Sequence, residues 1–148
     1  MQDVIRESTF VGAPIDRVWR AISDYREFGT WFRVNIDRPF AAGAQSTGMM
    51  TVPGYEHVPW NVDVVAIEPP HRLAFHWHPY AIDPDKDYSH EPRTLVEFLL
   101  SERDGGTEIT VTETGFSAIP EGRRDEAFRM NSQGWAAQVK NVAQYVAG

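Results

Sequence analysis

Most of the chain between residues 34 and 114 is a run of short segments in which apolar and polar residues alternate. Such alternation is typical of strands with one buried face. The connections between these segments are short and favour antiparallel neighbours in up-and-down order. Residues 4–11 near the start of the chain alternate in the same way. We therefore expect about seven antiparallel strands, at residues 4–11, 34–38, 46–52, 60–67, 72–78, 94–100 and 106–114.

A helix is predicted between the first two strands, where residues 11–32 read VGAPIDRVWRAISDYREFGTWF. Pro14 suits the first helical turn, because its missing N–H would have no partner there. Helical spacing places four apolar residues on one face: Ile15, Val18, Trp19 and Ile22. Four aromatic residues follow around Gly29, which we interpret as a break: Tyr25, Phe28, Trp31 and Phe32. So many aromatic rings can fill a core or line a cavity.

The last element predicted is a long helix at residues 121–147, opened by Pro120. It carries one continuous apolar stripe, formed by Phe128, Trp135, Val139, Val142 and Val146. Asn131 and Ser132 interrupt that stripe with hydrogen-bonding groups. Gly134 costs about 1 kcal/mol of helix propensity, so we expect another group to approach the backbone there.

A long helix laid across a curled sheet is expected to leave a gap that large side chains or a ligand must fill. The strand faces expected to point into that gap carry mostly apolar residues, with Glu113 among them. A carboxylate on such a face requires water, a donor or a ligand. The residues predicted to contact a ligand are Trp31, Phe32, Met50, Trp60, Phe75, Trp77, Phe98, Glu113, Phe116, Phe128, Asn131, Ser132 and Trp135.

Composition and charge exclude several classes of function. The chain of 148 residues has a net charge of −7 and no cluster of lysine and arginine, so nucleic acid and anionic membranes would be repelled. It contains no cysteine, which removes disulfides and thiolate chemistry. No serine lies in a GxSxG context, and no glycine-rich phosphate motif is present. We expect a single domain at residues 1–148, without a cofactor, in the cytoplasm and not in a membrane.

Two groups of residues resemble metal sites without completing one. His76 and His78 alternate on a strand and are expected to face solvent if Trp77 between them faces inward. The acidic stretch Asp83–Asp87 resembles the start of a calcium loop, but the glycine and the bidentate glutamate of that motif are missing. We therefore predict no metal site. Residues 79–93 form an acidic, irregular loop of the kind that serves as a lid or a contact surface.

Six segments of the chain form a pattern that is known from other proteins: APIDRVWRAISD, FGTWF, FAAGAQSTGMM, VDVVAIEPPHRLAFHWHP, TLVEFLLSERDGGTEITVTETGF and QGWAAQVKNVAQYV. With these segments, the chain resembles the helix-grip superfamily of START and pollen-allergen type domains, also grouped as polyketide cyclase/dehydrase and lipid transport proteins. Within the superfamily, the chain is similar to homologues of the heat-shock chaperone ATPase activator. This resemblance implies an α+β fold in which a curved sheet of about seven strands wraps around a long C-terminal helix, with two short helices after the first strand.

Three functions remain open from the sequence. The first is the binding of a hydrophobic or amphipathic small molecule, such as a lipid, a polyketide or an aromatic metabolite, between the sheet and the C-terminal helix. The second is a cyclase or dehydratase that uses Glu113 as acid or base with a Tyr or His partner. The third is a protein-interaction module that presents the acidic loop, and the chain is also compatible with a homodimer.

Overall fold

A computed structural model describes residues 3–148 and shows an α+β fold. Seven antiparallel strands form one sheet in the order β1-β7-β6-β5-β4-β3-β2, which confirms the predicted helix-grip architecture. In chain order the elements are β1 (Val4–Val11), α1 (Ile15–Ser23), α2 (Tyr25–Phe32), β2 (Val34–Ile36), β3 (Gln45–Met50), β4 (Pro59–Glu68), β5 (Arg72–Trp77), β6 (Thr94–Arg103), β7 (Gly106–Thr114), a short 3-10 turn (Phe116–Ala118) and α3 (Glu121–Ala147). The predicted strands differ from these mainly at their ends, because pairing with a neighbour decides where a strand stops.

The aromatic residues after α1 lie on a helix of their own, α2. Asp24 separates the two helices, and its side chain accepts hydrogen bonds from the backbone N–H groups of Arg26 (2.8 Å) and Glu27 (3.3 Å). Such a cap satisfies donors that the first turn leaves free. The interpretation of Gly29 as a break is wrong: it lies inside α2, where a Cβ would stand 2.4 Å from the carbonyl oxygen of Val34.

The inward faces of the central strands are buried, as the alternation predicts. Leu73 and Phe75 of β5, and Val96 and Phe98 of β6, are each 1% exposed or less. The stripe on α3 is also confirmed for most of its length, since its buried residues include Trp135, Val139, Val142 and Val146. Phe128 is half-buried and packs its ring against Phe116, with the centroids 5.1 Å apart. None of the helices between residues 3 and 148 is long and apolar enough to cross a membrane.

Candidate functional site

A cleft of about 710 Å³ opens at the end of the sheet where β5 stops and β6 begins. Its walls come from the last residue of α2, the ends of β3 to β5, the loop after β3, the loop 78–93 and the middle of α3. The apolar side chains on these walls include Phe32, Met50, Trp60, Trp77, Met130 and Trp135. The cleft therefore lies at the mouth between sheet and helix.

Six of the predicted ligand contacts line this cleft: Phe32, Met50, Trp60, Trp77, Asn131 and Trp135. They come from five separate elements that meet at this mouth. Phe32 packs against Trp60, Trp77 and Trp135, with ring centroids 6.0 to 6.5 Å apart. Trp77 and Trp135 stand 5.8 Å apart across the boundary between sheet and helix. These rings form one continuous aromatic wall.

The other seven predicted contacts lie outside the lining of the cleft: Trp31, Phe75, Phe98, Glu113, Phe116, Phe128 and Ser132. Phe75, Phe98 and Phe116 are covered by neighbouring side chains and are 1% exposed or less. Trp31 is turned into the core, where its indole N–H donates to the carbonyl oxygen of Ala21 at 2.8 Å. Ser132 donates to the carbonyl oxygen of Phe128 on its own helix. Helical and strand periodicity places these residues on the inward face but does not show which end of that face is open.

Glu113 faces inward, as predicted, but it lies behind the aromatic wall. Its side chain is fully buried and accepts four hydrogen bonds. Oε2 receives the indole N–H of Trp77 at 2.7 Å and the hydroxyl of Thr94 at 2.6 Å. Oε1 receives the indole N–H of Trp135 at 2.8 Å and the amide of Asn131 at 3.0 Å. A carboxylate offers about four acceptor positions, so this one has none left for a ligand.

The indole N–H of Trp60 has no acceptor, unlike those of the other tryptophans of the wall. Its side chain is 3% exposed, yet Nε1 has no hydrogen-bond partner. Trp77 and Trp135 both donate to Glu113. An unsatisfied buried donor typically costs about 1–3 kcal/mol. Among the side-chain atoms of residues 3–148, the only other buried polar atom without a partner is Nη2 of Arg123.

Gly134 contradicts the expectation of a close approach to the helix backbone. A Cβ at this position would meet no atom within 4 Å, and the residue lies on the cleft. The missing side chain therefore leaves open space beside Trp135. Substitution of Gly134 can change the volume of the cleft without forcing neighbouring atoms to move.

The loop 78–93 is fastened to α3 by Arg123. Nε of Arg123 donates to Oε1 of Glu91 at 2.7 Å, and Nη1 donates to the carbonyl oxygen of Pro79 at 2.7 Å. Lys86 adds a second ion pair to Glu91 at 3.2 Å. Burial raises the pKa of Glu91, but the hydrogen bonds from Arg123 and Lys86 outweigh it and hold that pKa below its ordinary range. The guanidinium of Arg123 also covers the ring of Tyr88 at 4.8 Å.

The outer part of the cleft is polar. Trp60 and Asn61 are consecutive residues of β4, so their side chains point to opposite faces of the sheet. Asp63 shares the face of Asn61 and forms an ion pair with Arg93 from the loop 78–93. The lining of the cleft therefore includes a charged part on the outer face of the sheet, separate from the aromatic wall on the inner face.

His76 in β5 and His78 directly after it are half-buried; the sequence predicted that they face solvent if Trp77 faces inward. Nδ1 of His76 lies 3.2 Å from the carbonyl oxygen of Thr94, and Nε2 of His78 lies 3.1 Å from that of Glu91. The carbonyl oxygen near His76 belongs to the first residue of β6, and the one near His78 belongs to the loop 78–93. Within residues 3–148, no group of three or more His, Asp or Glu side chains is arranged to hold a metal ion.

Sequence reasoning missed several residues of the cleft. On α3, Met130, Gly134 and Gln138 share a face with Asn131 and Trp135, and extending the helical spacing from those two residues would have found them. The lining residues Tyr80, Ile82 and Tyr88 belong to the irregular loop, where no periodicity exists to reveal them.

Comparison with known proteins gives one family and several similar structures. The family model described as Activator of Hsp90 ATPase homolog 1-like protein matches residues 12–147. DynU16, from the dynemicin biosynthetic locus, is 24% identical with a TM-score of 0.76, covering 99% of this chain and 48% of DynU16. CalU16 from Micromonospora echinospora is 23% identical with a TM-score of 0.63, covering 97% of this chain and 74% of CalU16. MLL2253 from Mesorhizobium loti is 19% identical with a TM-score of 0.76, covering 97% of this chain and 96% of MLL2253.

These structural similarities concern the fold. The chain spans about half of the length of DynU16, at 48%. No curated protein matches the chain at a significant level.

Proposed function

Because this chain belongs to the family of Activator of Hsp90 ATPase homolog 1-like proteins and carries an open cleft in its helix-grip fold, we propose that it binds a hydrophobic or amphipathic small molecule. The observation that carries the proposal is a cleft of about 710 Å³ whose lining includes the half-buried ring of Trp77 and the largely buried rings of Phe32, Trp60 and Trp135. Small-molecule sites typically have volumes of about 300–1,000 Å³ and mostly apolar walls.

The two parts of the cleft suit an amphipathic ligand. Flat apolar groups stack well on indole and phenyl rings, and burial of apolar area supplies most of the binding free energy. Asn131 and Gln138 of α3 also line the cleft and would contact a polar end of the ligand. The similarity to DynU16, a protein of a biosynthetic locus, supports a role with small molecules.

The contacts of Glu113 do not favour the catalytic alternative. A reaction that uses Glu113 as acid or base requires a free acceptor position and a second titratable group. All four donors on Glu113 come from groups that do not titrate near neutral pH: two indoles, a hydroxyl and an amide. The interaction alternative is favoured by no contact either, because ion pairs fold the loop 78–93 against α3 and β4.

A titration with 1-anilinonaphthalene-8-sulfonate, a flat aromatic probe with one charged group, tests the proposal. We expect saturable fluorescence enhancement with the native protein. Gly134→Phe should lower the affinity at least tenfold, because the new ring fills the open space beside Trp135.

Gly134→Ala is the matched control for that titration. It adds a Cβ that meets no neighbouring atom, and it should raise helix stability by up to about 1 kcal/mol while leaving room for the probe. Equal affinity in the native protein, Gly134→Ala and Gly134→Phe would refute binding in this cleft.

A further inference from the structure

Asn131 is the one predicted polar residue that lines the cleft while it also touches Glu113. Its amide nitrogen faces the carboxylate, since a carboxylate accepts hydrogen bonds and an amide oxygen cannot donate one. The amide has no other hydrogen-bond partner among the described residues. The carbonyl oxygen Oδ1 and the second N–H of Asn131 are therefore left for a molecule in the cleft.

The two tryptophans beside Asn131 cannot offer such a group. Trp77 and Trp135 line the cleft, but both of their N–H donors are bound to Glu113 behind the wall. These rings can give a ligand only apolar and π contacts. Asn131 thus adds an amide to the lining of the cleft, and the buried carboxylate sets the orientation of that amide.

We propose that Asn131, oriented by Glu113, is a polar subsite that makes the cleft prefer flat aromatic ligands carrying a hydroxyl group. This inference rests on the proposed function and names the ligand class. A hydroxyl donates to Oδ1 and accepts from the remaining N–H, so it matches both free groups of the amide. Glu113 is a positioning residue here, because it acts on the ligand only through Asn131, Trp77 and Trp135.

The apolar surroundings strengthen the preference. A hydroxyl that enters the cleft without a partner loses its hydrogen bonds to water, which is unfavourable in an apolar wall. A buried hydrogen bond to Asn131 removes this penalty. One such bond corresponds to about a tenfold difference in affinity.

Three probes of the same ring system separate the contributions: naphthalene, 2-naphthol and 2-methoxynaphthalene. Their dissociation constants are measured by displacement of 1-anilinonaphthalene-8-sulfonate. We expect 2-naphthol to bind about tenfold more tightly than the other two. Equal binding of all three would overturn the subsite while leaving the proposed function intact, whereas failure of every probe to bind would refute the proposed function.

The methoxy compound tests the direction of the hydrogen bond. It can accept but not donate, so binding equal to that of 2-naphthol would show that a donor of the protein is recognised and would contradict the role of Oδ1. The remaining N–H of Asn131 would then be the donor, because the indole N–H of Trp60 is buried, and the preference for a hydroxyl group would be refuted.

Two variants assign the preference to its residues. Asn131→Leu, which is similar in size, should reduce the affinity ratio of 2-naphthol to naphthalene to about one. Glu113→Gln should reduce the same ratio, because an amide cannot accept on both sides and Asn131 loses its fixed orientation. An unchanged ratio in both variants would contradict the proposal.

Thr107→Val is the control for loss of a buried hydrogen bond on β7. Thr107 is fully buried and donates to the carbonyl oxygen of Ala13, and it does not line the cleft. The variant should lose stability and keep the preference for 2-naphthol. Because the ratio compares two ligands on the same folded molecules, a purely structural role of Glu113 would not change it.

Discussion

Phe75 and Trp77 lie two residues apart on the same face of β5, but they belong to different regions of the molecule. Phe75 is 1% exposed and sits among Trp60, Trp77 and Phe98, with ring centroids 5.5 to 6.3 Å away. Trp77 is half-buried and borders the cleft. One strand therefore passes from a closed core to an open wall within a single alternation.

The difference comes from what covers each residue. The core around Phe75 is filled by aromatic rings from β4 and β6. At Trp77 the chain leaves the sheet for the loop 78–93, and α3 presents Gly134 next to Trp135, which leaves space. A side chain that points inward is therefore buried in the core only where the facing elements supply side chains that cover it.

The largest effect is expected from opening a cavity in the closed region. Phe75→Ala should lower the free energy of unfolding by about 3–5 kcal/mol, measured by urea denaturation. Affinity for 1-anilinonaphthalene-8-sulfonate, corrected for the folded fraction, should change less than threefold.

Trp77→Ala is the paired variant on the open wall. It should cost only about 1–3 kcal/mol, because the ring is half-buried and Glu113 keeps three of its four donors. Trp77→Ala should lower the affinity for 1-anilinonaphthalene-8-sulfonate at least tenfold. If Phe75→Ala weakens the probe more than Trp77→Ala does, the distinction between core and wall fails.

A smaller and local effect is expected at the loop 78–93. The pKa of Glu91 is held below its ordinary range, so the ion pairs with Arg123 and Lys86 are fully present above an ordinary glutamate pKa of about 4.3. They are lost as the pH falls through the lower value of the folded state. Glu91→Gln should therefore increase hydrogen exchange of the backbone in residues 80–90 several-fold at neutral pH.

Comparing the hydrogen exchange of the native protein with that of Glu91→Gln at the same pH removes the intrinsic pH dependence of amide exchange. Native protein and Glu91→Gln should converge only as the pH falls through the lowered pKa of Glu91 in the folded state. Glu121→Gln, at an exposed position near the start of α3, should behave as the native protein at every pH. A constant difference between native protein and Glu91→Gln down to low pH would show that these ion pairs do not hold the loop.

Alternation and helical spacing predicted the fold closely, because pairing and burial repeat along the elements. The bounds of β1, β7 and α3 agree with the prediction. The same patterns placed Glu113 inward but did not reveal that Trp77, Thr94, Asn131 and Trp135 converge on it. Those contacts join residues far apart in sequence, and no local pattern encodes them.

The cleft was harder to predict than the sheet. Six of the predicted contacts line it, but Phe75 and Phe98 have the same sequence character and lie in the core. The deciding factor is where the loop 78–93 and Gly134 leave space, which depends on packing between elements. Gly134 itself was misinterpreted, because low helix propensity is compatible with close approach and with open space alike.

The indole N–H signals of the five tryptophans offer the most direct test of ligand binding in the cleft. In a two-dimensional proton–nitrogen NMR spectrum, saturating 2-naphthol should shift the signals of Trp60, Trp77 and Trp135, which line the cleft. The signal of Trp31, bound to the carbonyl oxygen of Ala21 in the core, should stay in place. Saturable binding that shifts Trp31 and leaves the three wall tryptophans unchanged would contradict this account.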